Sequence, residues 1–89
     1  MFIQIAGGDM INFSQVDIIN VSSLKNDNIV RMIFPSRMII ELVYQNSDHC
    51  LKALESIMDA FSNGDKQYNL MKNNLQPDKV RYDRVATKL

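Results

Sequence analysis

The sequence predicts a small α+β fold. It expects an antiparallel sheet of about four or five strands, one amphipathic helix over about residues 48–62 packed on it, and a basic C-terminal extension. Three observations carry this. Before residue 45, β-branched and aromatic residues gather in short runs of the kind that build strands. After residue 47, one long stretch repeats its apolar residues at helical spacing. Beyond Phe61 the apolar density falls and the charge changes sign. At 89 residues the chain has room for one compact domain, here residues 1–63, followed by the extension 64–89.

Phe2–Ile5 is a short apolar stretch closed by Gly7-Gly8-Asp9, a turn signal, and Met10–Phe13 is the returning strand of that hairpin. Ser14–Asp17 reads as a turn, because Ser and Asp side chains compete for nearby backbone hydrogen bonds. Ile18–Val21 resumes extended structure, and Ser22–Asn28 reads as a polar loop tipped by Lys25-Asn26-Asp27-Asn28. Ile29–Phe34 and Met38–Tyr44 have the strongest strand composition.

A three-residue loop, Pro35-Ser36-Arg37, sets Phe34 opposite Met38, Met32 opposite Ile40 and Val30 opposite Leu42. It also sets Arg31 opposite Glu41, a cross-strand charge pair worth a few tenths of a kcal/mol. A two-residue loop would waste both charges against Ile40 and Val30, so the three-residue register is expected.

Asp48–Phe61 is the predicted helix, with Ser47 as its N-cap and Asp48 at the positive dipole end. Cys50, Leu54, Ile57, Met58 and Phe61 form its apolar stripe, and Asn63-Gly64 its left-handed stop. In the extension, Lys66–Leu75 suggests a weak second helix broken at Gln76-Pro77. Residues 79–83 alternate as an edge strand would, yet Tyr82, Val85 and Leu89 also suit a final helix. A helical or partly disordered end, able to dock on the body or on a neighbouring chain, is the expectation.

The order of Gly turn, strand, strand pair and closing helix between Gly8 and about Phe61 loosely resembles the short flagellar accessory proteins of the FlbD type. It departs from them in Pro35-Ser36, where they carry a Gly turn, and in the added residues 64–89. The resemblance is one of apolar periodicity and implies no site residue.

Ten Lys and Arg against ten Asp and Glu give no net charge, which argues against a broadly basic nucleic-acid binder. The balance hides a split. Residues 1–63 hold four basic against seven acidic residues, net −3; residues 64–89 hold six against three, net +3. One Cys cannot make an intramolecular disulfide, and with one His it cannot close a Cys/His zinc site, so neither metal nor cofactor is expected. No apolar run approaches the ~20 residues of a membrane span, and no signal peptide is visible, so a cytoplasmic protein without a membrane role is expected. Ten Ile and nine Asn suit an AT-rich coding genome, as in a low-GC bacterium or a phage.

Catalytic constellations are not expected. His49 and Cys50 are adjacent on the helix and diverge by roughly 100°, so they do not face each other. Gly7-Gly8 lacks the context of a phosphate cradle. The functional content lies in the central hairpin, which has two apolar faces. One helix covers one of them. The other shows Ile29, Ile33, Ile39 and Val43, interrupted by Arg31 and Glu41. Burying four such aliphatic side chains contributes on the order of 6–12 kcal/mol, so that face needs a cover. The chain itself, a second copy in a homodimer, or another protein would serve. The expected function is a non-catalytic protein–protein interaction protein, an accessory or inhibitor protein of a bacterium or phage. The runner-up is a nucleic-acid-associated regulator using Lys79, Arg81, Tyr82 and Arg84, within the basic stretch 79–88, to meet phosphates and stack a base. An enzyme completed across a dimer interface is a minor third.

Overall fold

Pro35, Ser36 and Arg37 turn the chain between two seven-residue strands, and this turn fixes the register of the larger sheet. A computed structural model of the chain describes residues 1–5, 8–24 and 27–84. Strands β1 (Phe2–Gln4), β2 (Met10–Asn12), β3 (Ile18–Leu24), β4 (Asp27–Ile33) and β5 (Met38–Tyr44) precede helix α1 (Ser47–Ser62). Strands β6 (Gln67–Asn69) and β7 (Lys79–Arg84) follow it. They form an antiparallel sheet in the order β3-β4-β5-β7 and a small sheet in the order β2-β1-β6. The fold is α+β, as the sequence predicts.

At the turn, the Phe34 N–H donates to the Met38 carbonyl at 2.9 Å and the Arg37 N–H to the Phe34 carbonyl at 2.8 Å. Arg37 takes φ 70°, the left-handed third position of a three-residue hairpin loop. Ile33 therefore faces Ile39, Met32 Ile40, Arg31 Glu41 and Val30 Leu42, the register expected from the charges.

The first hairpin also forms, with Ile3 opposite Ile11; Ala6 and Gly7 of its turn lie outside the described residues. The polar loop expected over 22–28 is largely strand: β3 continues to Leu24 and β4 begins at Asp27, with Ser22 opposite Ile29. Pairing to a central strand overrides the weak intrinsic preference of Ser and Asn. The Lys25-Asn26 tip lies outside the described residues.

Helix α1 is capped by Asn46 and not by Ser47: the Asn46 side-chain oxygen accepts from the His49 N–H at 2.8 Å. Its buried stripe is Cys50, Ala53, Ile57 and Ala60, with Leu54 at the margin, while Met58 and Phe61 are exposed. The expected stripe is rotated towards the larger side chains; the buried face keeps Cys50 and Ile57 but runs through Ala53 and Ala60 in place of Met58 and Phe61. Gly64 ends the helix at φ 76°, its N–H donating to the Phe61 carbonyl and that of Asp65 to the Ala60 carbonyl. These two bonds make a Schellman stop.

The tail departs most from expectation. Gln67–Asn69 is strand, not helix, and runs parallel to β1 with Tyr68 beside Ile3. Met71–Asn73 makes one 3₁₀ turn, ended by Asn74 in the left-handed region. Lys79–Arg84 is likewise strand and not helix: β7 pairs along β5, with Arg81 opposite Glu41. The Asp78 N–H, donating to the Val43 carbonyl at 2.8 Å, anchors its entry. An open strand edge on β5 offers residues 79–84 a full ladder that an isolated short helix lacks. Val85, Lys88 and Leu89 lie outside the described residues.

The core lies between the inner face of the large sheet, the small sheet and α1. Val30, Met32, Ile40, Leu42 and Tyr44 meet Ile3, Ile5, Ile11, Phe13, Ile57 and Leu70 there. Polar ties join the layers: the Tyr44 hydroxyl donates to the Leu75 carbonyl at 2.7 Å, and the Ser56 and Tyr68 hydroxyls share a hydrogen bond. Among the described residues no helix is long and apolar enough to cross a membrane.

Candidate interaction surfaces

Alternation along β4 and β5 sends odd-numbered residues to the outer face of the large sheet, opposite the core. Ile29 and Val43 are nonetheless only 1% and 4% exposed there, while Ile33 and Ile39 are half-buried. A ladder of charges accounts for the difference. Arg31 Nε donates to Glu41 Oε2 at 2.9 Å, and Arg81 Nε lies 3.3 Å from Glu41 Oε1. Arg81 Nη1 then reaches Asp27 Oδ2 at 3.4 Å, two strands away. In the register of β7, β5 and β4, Arg81 starts in the row of Glu41 and its guanidinium ends beside Asp27, a reach that crosses the row holding Val43 and Ile29. A long side chain that crosses an apolar row can shield it while its head stays ion-paired. The Arg81 Nε–Glu41 contact is electrostatic only; Nε is shielded from water and its N–H finds no acceptor.

The face named from the sequence is therefore crossed by the chain's own basic tail, through the ion-paired Arg81 side chain. Of the four tail residues named, Arg81 is committed to Glu41 and Asp27. The Tyr82 hydroxyl donates to Asp9 Oδ2 at 3.3 Å; burial first, then the Asp9 carboxylate, pushes its pKa up. Lys79 and Arg84 are exposed. These four lie on one strand, but not as a free basic row.

A different surface emerges at the sheet edges. Among the described strands the two sheets offer four edges. Those of β2 and β6 are three residues long, and four of the six residues of β7 are charged. Both are ways of blunting an edge against unwanted pairing. The β3 edge is seven residues long, Ile-Ile-Asn-Val-Ser-Ser-Leu, without charge or Pro. Phe34 and Met38 are a hydrogen-bonded pair, and bonded and non-bonded pairs alternate along antiparallel ladders. Carried across β4, the alternation turns Ile18, Asn20 and Ser22 inward to their partners. The backbone N–H and C=O groups of Ile19, Val21 and Ser23 point outward.

Apolar side chains flank this edge. Ile18 is 50% exposed and Val21 36%. On α1, Ser56 faces β6 through Tyr68, and 3.6 residues per turn put Leu51 and Met58 on the opposite flank, 47% and 37% exposed. The small sheet lies towards β7, where Asp9 takes the Tyr82 hydroxyl, so this flank overlooks the β3 side of the sheet. Sequence reasoning missed the surface by reading residues 22–28 as a loop. The signal available was a run from 18 to 24 without any charge.

His49 and Cys50 are separated as expected: His49 is exposed and Cys50 sealed in the core, where burial pushes its thiol pKa up. A shallow groove lined by Met1, Phe2, Phe61 and Lys66 opens at the end of α1, with Phe61 edge-on to Phe13 at 5.2 Å between ring centres. Among the described residues no three His, Cys, Asp or Glu side chains converge. No protein-family model, curated protein or solved structure matches the chain.

Proposed function

We propose that this chain is a non-catalytic protein-interaction module that docks its partner by adding a strand to the β3 edge. One observation carries the reading: among the four sheet edges of the described residues, two are short and one is charged, while β3 is long, uncharged and flanked by exposed Ile18, Val21, Leu51 and Met58. An open edge of this kind supplies main-chain hydrogen bonds for affinity, and its flanking apolar side chains supply specificity. The burial of Cys50 away from His49 supports a role without nucleophilic chemistry. The engagement of Arg81 with Glu41 and Asp27 favours a protein partner over a nucleic acid, since it removes one cation from any phosphate-binding row. The reading places the protein among small accessory or inhibitor proteins acting inside a bacterial or phage-infected cell.

A photo-crosslinking residue at Val21, compared with one at Arg84 on the charged edge, tests it in cells that make the protein naturally. Cross-links to protein from position 21 and none from position 84 are expected. Equal yields at both, or none at 21, would overturn the reading.

A further inference from the structure

We infer that the occupant of the β3 edge is a second copy of this chain, paired antiparallel along β3 about a two-fold axis at Val21; the inference rests on the reading of β3 as the docking edge. The outward groups of Ile19, Val21 and Ser23 recur at every second residue. A two-fold at Val21 lets Val21 exchange two hydrogen bonds with Val21 of the second copy. Each Ile19 then exchanges two with Ser23 of the other copy, making six in all by ladder geometry. Sliding the register by one residue would bring inward-bonded residues to the seam and lose the ladder.

Charge favours the same solution. Nothing in residues 18–24 is charged, so self-pairing opposes no like charges. The run is bounded in sequence by Asp17 at one end and Lys25 at the other. Antiparallel pairing brings unlike ends together; parallel pairing would bring like ends together. Pairing β3 with β7 of another copy would set charged against uncharged residues and generate an open chain of subunits.

The apolar surface closes over the seam. A two-fold perpendicular to the sheet keeps both helices on one face, so Val21, Leu51 and Met58 of each copy approach those of the other. The result is one eight-stranded sheet that ends on a β7 edge at both sides. Those charged edges stop further addition, so assembly ends at the dimer.

Sedimentation equilibrium of the full chain over a wide concentration range tests this, alongside amide hydrogen exchange. The expected particle is twice the 10.2 kDa chain, with the amides of Ile19, Val21 and Ser23 protected and losing protection on dilution. Val21→Lys should sediment at the single-chain mass with unchanged circular dichroism, and Ile33→Lys, on the outer face, should remain dimeric. A wild-type protein that stays at 10.2 kDa at high micromolar concentration would overturn the inference, as would a dimer that survives Val21→Lys or leaves those three amides unprotected. Because the exchange measurement uses the wild type, it decides the matter even if Val21→Lys fails to fold. A single-chain species that still cross-links from position 21 to another protein overturns the second-copy assignment alone. One that cross-links to nothing overturns the docking edge as well.

Discussion

Glu41 stands between two arginines: Arg31 faces it across the β4–β5 ladder at 2.9 Å, and Arg81 approaches from β7 at 3.3 Å. One carboxylate thus ties three strands together on the face opposite the core. The Glu41 side chain is 14% exposed and that of Arg31 24%, so the pair is sheltered enough for its loss to matter. Glu41→Gln keeps the shape and removes the charge, leaving both guanidinium groups without their shared counter-ion. A loss of about 1–2 kcal/mol in urea unfolding is expected, towards the lower end for charge-assisted hydrogen bonds because water screens Arg81. A double-mutant cycle of Arg31→Ala and Glu41→Ala should return a coupling near 1 kcal/mol; additive effects would show that the 2.9 Å contact contributes nothing.

The helix stripe yields a second expectation. Ile57 is fully buried, and Ile57→Ala should cost about 2–5 kcal/mol through the cavity it leaves. Ala53 is also 0% exposed, on the helix face turned to the core, so Ala53→Leu should cost about 1–3 kcal/mol by overpacking. Had the stripe run through Leu54 and Met58 instead, Ala53→Leu would be nearly neutral in a thermal melt.

These two residues show what could and could not be read in the chain. Ile57 is apolar and declares its face; Ala53 and Ala60 suit any face, and only tertiary packing decides for them. The β4–β5 register was legible because Arg31 and Glu41 permit one favourable alignment. The reach of Arg81 across the outer face was not. It depends on residues 79–84 pairing with residues 38–43, an alignment that local periodicity does not encode. Strand β6 was hidden for the same reason: three residues become strand only because Ile3, far away in sequence, lies beside Tyr68. The β3 edge was half legible, since Ile18–Val21 was read as extended and its continuation to Leu24 was not.

Gly64 isolates a backbone effect. A Cβ placed on it meets nothing within 4 Å, so Gly64→Ala introduces no clash. The conformation is another matter. At φ 76° an L-residue pays about 1–2 kcal/mol, and the Schellman bonds to Ala60 and Phe61 hold the residue there. Gly64→Ala should lower stability by that amount, while Gly64→Asn, better tolerated in the left-handed region, should recover part of it. Equal stability of wild type and Gly64→Ala in urea would show that this turn relaxes without cost.

The core should also make the protein sensitive to alkali. Burial, followed by the nearby Cys50, Tyr68 and Asp78, pushes the Tyr44 phenol well above its usual 10.0, and burial pushes the Cys50 thiol above its usual 9.0. Both groups hold their protons more tightly folded than unfolded. Below about pH 8 both states are protonated and neither group makes stability depend on pH. Above it the unfolded chain releases the Cys50 proton first and, past about pH 10, that of Tyr44, while the folded chain keeps both. Stability therefore falls as pH rises, by at most about 1.4 kcal/mol per pH unit for each group. Tyr44→Phe separates two effects. At pH 7 it removes the 2.7 Å bond to the Leu75 carbonyl, at a cost of about 1–3 kcal/mol if that acceptor is left without a donor. Between pH 10 and 11 its stability should decline less steeply than that of the wild type, because the unfolded variant has no phenol to ionise. Cys50→Ala should instead flatten the decline from about pH 8 upward. Urea unfolding at pH 7, 9, 10 and 11 distinguishes the two, and parallel curves for wild type and Tyr44→Phe above pH 10 would mean that the Tyr44 hydroxyl ionises in the folded protein as readily as in the unfolded chain.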